Sequence, residues 1–208
     1  MVNHWCFDHM LRGIIAGSPG VGKTAILCNF CDVKENEGNI LYNTIKPINN
    51  SLIRYNIWDF KTIDGYGIIK PSKYFAQPDF ILFTFDIARR ETYNVIPTLL
   101  TTCSSYGYDF TKIHIYILGN KILDDKEHEQ VSYEEAEKYS NEINATYFEI
   151  DISIPKLNHV FTSITNDIMQ KKTGIIETVP SELDTLKEEL QQQTNQPEFP
   201  NTGYCTIS

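Results

Sequence analysis

Gly17-Ser18-Pro19-Gly20-Val21-Gly22-Lys23-Thr24 fits the pattern G-x-x-x-x-G-K-[ST]. Ahead of it, Arg12-Gly13-Ile14-Ile15-Ala16 reads as a short buried strand. Behind it, Thr24-Ala25-Ile26-Leu27-Cys28-Asn29-Phe30 opens a helix. A glycine-rich turn between strand and helix lets successive backbone N–H groups curl round an anion, and the helix N-terminus adds a favourable dipole. In such a loop Lys23 reaches the outer phosphates of a nucleotide, and the Thr24 hydroxyl holds Mg²⁺. Pro19 brings no N–H to the cradle.

Working outward, apolar runs alternate with helical patterns. Strands are expected at Ile14 to Gly17, Leu52 to Trp58, Asp79 to Phe85, Ile113 to Leu118 and Ala145 to Ile150. The nearly unbroken β-formers Ile81-Leu82-Phe83-Thr84-Phe85 and Ile113 to Leu118 suit central strands covered on both faces. Helices are expected at Thr24 to Cys31, Glu91 to Ser104, Ser132 to Glu142 and Leu157 to Lys171, with Ser132 and Glu135 spaced as a capping box. This alternation predicts an α/β fold of the P-loop NTPase type: a doubly wound, mostly parallel sheet with helices on both faces. Ile45 to Ile48 and Leu52 to Trp58, joined through Asn49-Asn50-Ser51, read as a hairpin that supplies one antiparallel edge strand.

The chain has 208 residues, enough for one domain and a tail, with 41% hydrophobic and 22% charged content. A net charge of −9 argues against a nucleic-acid partner held by a basic surface. There is no apolar run long enough to span a bilayer, and Met1 to Asp8 carry no secretory pattern, so a cytoplasmic protein is expected. Five scattered cysteines fit a reducing compartment; Cys28 and Cys31 lack the second pair that a zinc site needs. His4, His9, His114, His128 and His159 show no metal spacing, and the charges around Asp125 to Glu129 and Glu134 to Lys138 read as solvated surface.

Trp58-Asp59 ends an apolar run, and a carboxylate there is placed to hold Mg²⁺ opposite Thr24. With the phosphate loop, Trp58-Asp59, the stretch from Lys73 to Asp79 running into Phe80 to Tyr93, Leu118-Gly119-Asn120-Lys121, and Tyr147-Phe148-Glu149-Ile150, the chain resembles the Ras superfamily of small GTPases, on its Rab-like side. The resemblance covers roughly residues 10 to 172, which we expect to form the G domain. It implies GTP or GDP as ligand with Mg²⁺, and effectors, an exchange factor and a GTPase-activating protein as partners. It also implies Asn120 and Lys121 as groups that brace the phosphate loop and stack on the base.

Departures from the family pattern are specific. Its second switch begins Asp-Thr-Ala-Gly-Gln; this chain has Asp59-Phe60-Lys61-Thr62-Ile63. Ile63 stands where the family glutamine orients the attacking water, and an isoleucine side chain makes no hydrogen bond. Weak or partner-dependent hydrolysis is expected, with Lys23 and Thr24 the remaining catalytic groups. The family base-reading run Asn-Lys-x-Asp is here Asn120-Lys121-Ile122-Leu123-Asp124, so Asp124 meets guanine only through a one-residue shift of the loop. The family Ser-Ala-Lys is replaced by Asp151-Ile152-Ser153. Thr44-Ile45 looks like the family's first-switch Thr-Ile-Gly, with Lys46 where Gly is usual, which makes Thr44 a candidate Mg²⁺ ligand. Only five residues separate it from Asn50. If Thr44 is instead a strand residue, the first switch is truncated.

Residues 173–208 read as a flexible acidic tail ending in Cys205-Thr206-Ile207-Ser208, a C-a-a-X pattern for prenylation of Cys205. One prenyl chain without basic support or a second cysteine gives reversible attachment to the cytosolic face of a membrane. Three functions emerge: a nucleotide-dependent switch in membrane traffic or signalling, a prenylated interaction module with static or lost nucleotide binding, and a different P-loop enzyme such as a nucleotide kinase. The kinase lacks support because no Arg-rich lid segment is present.

Overall fold

A computed structural model describes residues 7–34, 40–60, 77–122, 129–151 and 154–173. The element order is β1 (His9–Ala16), α1 (Lys23–Cys31), β2 (Leu41–Ile48), β3 (Ser51–Asp59), β4 (Phe80–Asp86), α2 (Arg90–Asn94), α3 (Ile96–Ser105), β5 (His114–Asn120), α4 (Tyr133–Glu142), β6 (Thr146–Ile150) and α5 (Ile154–Thr173). The strands form one sheet in the order β2-β3-β1-β4-β5-β6. All neighbouring pairs are parallel except β2 with β3. This is the doubly wound α/β sheet with one antiparallel edge strand that the alternating pattern predicts.

Burial explains the layering. Every residue of β4 is buried, as a central strand covered on both faces requires. On one face Leu11, Ile15, Leu82 and Tyr116 pack with Phe30 of α1 and Phe161 and Ile164 of α5. On the other, Ile14, Ile81, Phe83 and Ile117 pack with Ile96 and Leu99 of α3 and Ala136 of α4. Phe30 and Phe161 stack at 3.6 Å between centroids, and Tyr55 meets both edge-on. The Tyr55 hydroxyl, buried in this cluster, is satisfied by Thr165.

Element boundaries depart from expectation where local chemistry outweighs hydrophobic pattern. The predicted helix from Glu91 to Ser104 is two helices, broken at Val95; Pro97 at the start of α3 has no N–H to continue the α2 ladder. In α5 the helix starts at Ile154, ahead of the expected Leu157, because Pro155 is well tolerated in a first turn. The hairpin turns on Asn49, whose φ of 52° suits asparagine. Strand β2 is longer than expected: its ladder with β3 runs from Leu41 opposite Trp58 to Ile48 opposite Ser51. Of the capping box at α4, one half forms: the Ser132 hydroxyl accepts from the Glu135 N–H at 3.2 Å. The Glu135 carboxylate goes instead to Arg90, which it meets through two 2.7 Å hydrogen bonds.

The glycine loop, residues 17–22, lies at the carboxyl end of β1. From there the chain crosses to β2 and β3 on one side, and later to β4 on the other. Such a reversal in an open parallel sheet leaves the crevice where ligands bind.

Candidate functional site

The glycine loop is shaped by contacts from outside it. Gly17 has φ 154°, and a Cβ there would lie 2.1 Å from the Thr84 carbonyl oxygen of β4. The loop therefore leaves β1 pressed against the neighbouring strand, a path open only to a residue without a side chain. Gly22, at φ 87°, caps α1 from the left-handed region, so the helix starts with no side-chain cap and its first N–H groups open towards the loop.

Lys23 is the first residue of α1, and only 6% of it is exposed. Its ammonium donates to the carbonyls of Gly17 at 2.9 Å and Ser18 at 2.8 Å. Burial lowers its pKa below the ordinary lysine value, while the Asp59 carboxylate opposes that shift. A buried cation whose partners are mainly neutral carbonyls is a strong attractor for an anion.

Next to it, the Thr24 hydroxyl donates to Asp59 Oδ2 at 2.5 Å. Asp59 sits at the end of β3 and is 1% exposed, and its Oδ1 is buried without a hydrogen-bond partner. An orphaned carboxylate oxygen costs desolvation energy unless something meets it. Beside a threonine hydroxyl it offers the hard oxygen donors that Mg²⁺ prefers. The residues present fit the ion, and the loop with Lys23 fits a polyphosphate.

Asn120 ends β5, fully buried. Its Nδ2 donates to the Val21 carbonyl at 2.9 Å, and its Oδ1 is a second buried oxygen without a partner on this rim. Asn120 thus braces the loop as expected. Lys121 does not: its ammonium is held by Glu149 at 2.8 Å and Glu129 at 3.0 Å. Those carboxylates raise its pKa. Glu149 is positioned in turn by the Tyr147 hydroxyl at 3.0 Å.

Thr44 is not brought to the site. It lies inside β2 opposite Tyr55, four residues before Asp59 along β3, which at about 3.3 Å per residue is roughly 13 Å from the carboxylate. Of the two readings open in the sequence, the structure shows Thr44 as a strand residue. Ile63, Asp124 and Cys205, together with Thr62, Leu123 and the tail from 174 on, lie outside the described residues. Cys28 and Cys31 are buried in the core, where burial pushes the Cys31 thiol up to about 12.

Two residues at this rim carry no site role in the sequence reading, where they count only towards the family resemblance. Asp86 ends β4, and Arg89 follows it by three positions. Arg89 Nε donates to Asp86 Oδ2 at 2.7 Å, and Arg89 Nη2 donates to the Gly20 carbonyl at 2.8 Å. The available signal was an acid and a base three apart at the carboxyl end of a central strand.

Comparison with known proteins agrees with this geometry. A model of the Ras family matches residues 12–170. The mouse Ras-related protein Rab-3C is 24% identical over 204 residues, covering 95% of this chain and 88% of its own length. Mouse Ras-related protein Rab-12 is 26% identical over 172 residues, covering 79% and 69%. Human Ras-related protein Rab-15 is 23% identical over 204 residues, covering 93% and 94%. Among the described residues no helix is long and apolar enough to cross a membrane.

Proposed function

The chain belongs to the Ras family, on its Rab-like side, and from that premise we propose that it is a nucleotide-dependent switch in membrane traffic or signalling. Its ligand is GTP or GDP with Mg²⁺. The observation that carries this reading is the orphaned Asp59 Oδ1 beside the Thr24 hydroxyl at the mouth of the glycine loop. Residues 17–24 enclose the phosphates, Lys23 supplies positive charge to them, and Thr24 and Asp59 hold the ion. Bound Mg²⁺ neutralises phosphate charge. Asn120 keeps the loop in shape from behind, and Asp124 reaches the base if its loop shifts by one residue.

Hydrolysis is weak or depends on a partner that supplies missing groups, because Ile63 cannot position water. We place the G domain at residues 10–172 and a tail at 173–208. The tail carries a prenyl group on Cys205, and the protein attaches reversibly to a cytosolic membrane face, where effectors and regulators meet it. A second reading is favoured by the position of Thr44 within β2. Without a first-switch threonine the protein is a prenylated interaction module that holds nucleotide statically or not at all.

One titration separates the two. Nucleotide-freed protein is titrated with fluorescent GTP, GDP and ATP analogues, with and without Mg²⁺. Tight, Mg²⁺-dependent binding of GTP and GDP over ATP, with protease sensitivity that differs between the two bound states, supports the switch. Equal binding of ATP, or identical protease patterns with GTP and GDP, supports the static module, and absence of binding removes the nucleotide reading.

A further inference from the structure

Four carbonyls of the glycine loop are held from within or from outside it. Gly17 and Ser18 are taken by Lys23, Val21 by Asn120, and Gly20 by Arg89. The last is the one contributed by an exposed, mobile type of side chain, and here that side chain is itself fixed. Arg89 Nε is locked to Asp86 Oδ2. Asp86 is 5% exposed, and its other oxygen accepts from the Ala88 N–H at 3.0 Å. Thr92 adds a hydroxyl that accepts from the Asp86 N–H at 3.0 Å. The guanidinium therefore projects from a rigid turn, and its two terminal nitrogens would lie 3.6 and 3.8 Å from a Cβ on Gly20. At φ 73° Gly20 is in the left-handed region, which a glycine leaves as readily as it enters. Something must choose that conformation, and a charge-assisted hydrogen bond on its carbonyl is a suitable means.

We propose that Arg89 is a positioning residue for nucleotide binding: a brace that fixes Gly20 so that the loop keeps its phosphate-binding shape. Arg89 suits the task because one planar fork serves Asp86 and Gly20 along two edges. This also puts a positive charge beside the loop that counts towards attraction of a nucleoside di- or triphosphate. The inference rests on the site being a nucleotide site and deepens that reading.

Its test uses the full chain with fluorescent GDP and Mg²⁺. Kd and dissociation rate are measured for the parent, Arg89→Ala, Arg89→Lys and Arg90→Ala. Arg90 is the neighbouring arginine, engaged with Glu135 and Gln130 away from the loop. The melting temperature without added nucleotide is recorded for each. Arg89→Ala should weaken GDP binding about tenfold, or about 1.4 kcal/mol, chiefly through faster dissociation, while its ligand-free melting temperature stays near the parent's. Arg89→Lys should recover only part of the loss, because an ammonium lacks the fork, and Arg90→Ala should bind as the parent does. Unchanged affinity in Arg89→Ala overturns the inference while leaving the nucleotide reading intact. So does a loss that Arg90→Ala matches, or one that only mirrors a fall in ligand-free melting temperature. A parent protein that binds no GDP overturns both.

Discussion

Replacing Gly17 with alanine tests how the glycine loop is seated. The Cβ would stand 2.1 Å from the Thr84 carbonyl oxygen, where real Cβ contacts do not fall below 3.0 Å. Thr84 is wholly buried in β4 and held in its ladder with β5 opposite Leu118, so that carbonyl has little room to swing away. Either the loop lifts off the strand or the sheet is wedged open. Overpacking of this kind costs about 1–3 kcal/mol, and an alanine forced to positive φ adds about 1–2 kcal/mol. A total near 3 kcal/mol lowers the melting temperature by roughly 6–12 °C in a domain of this size. Gly107 provides the internal control. It too has positive φ, 87°, but a Cβ there would meet nothing within 4 Å. Gly107→Ala should therefore show only the conformational cost, about 1 kcal/mol, and melt about 2–4 °C below the parent. Melting is followed by circular dichroism at matched nucleotide concentration. A Gly17→Ala protein that melts within 3 °C of Gly107→Ala would refute the claim that the loop rests on the β4 backbone.

Other outcomes follow from the same contacts. His114 titrates below its ordinary value of 6.5, through burial first and then through Lys171 and Lys172, against the opposing pull of Asp167 and Asp79. The unfolded chain therefore binds a proton that the folded one refuses between the depressed value and 6.5, so stability rises with pH across that window and falls as pH drops through it. His114→Asn should flatten that part of the pH–stability curve, as read from denaturant midpoints between pH 5 and pH 7.5. Ser132→Ala removes the α4 cap and should cost about 1 kcal/mol in the same denaturation assay.

The sheet was legible because its central strands are long, apolar and β-branched, a pattern that only burial on both faces explains. Positions 17–24 announced a loop between β1 and α1, since a glycine pattern before Lys-Thr is specific in its strand-to-helix context. Strand β2 reads too short in the sequence because Asn43 and Thr44 look like loop polarity. They are polar because β2 is an edge strand with one open side, and its pairing with β3 is a long-range fact that no local window contains. The break at Val95 followed from Pro97, a residue whose effect was readable but outweighed by the helical period around it. Arg89 stayed hidden because its partner Gly20 lies 69 positions away. Lys121 was expected to serve the loop, and the carboxylates that divert it come from positions 129 and 149, each unremarkable in sequence.

The far end of α5 has a mechanical meaning. Lys172 pairs with Asp79 at 2.8 Å, and Lys171 donates to the Thr111 carbonyl at 3.3 Å. Asp79 also accepts from the Arg12 backbone N–H at 2.8 Å, which ties the same point to β1. Asp79 and Thr111 precede β4 and β5, so these clips lie at the pole of the sheet opposite the glycine loop. A pull on the chain beyond Thr173 would load this pole first, and the clips there, being exposed, are the weakest part of α5's seating. Tension would peel the helix from its last turn inward towards Ile168 and Ile164, leaving the loop at the other pole as the last part to feel the strain.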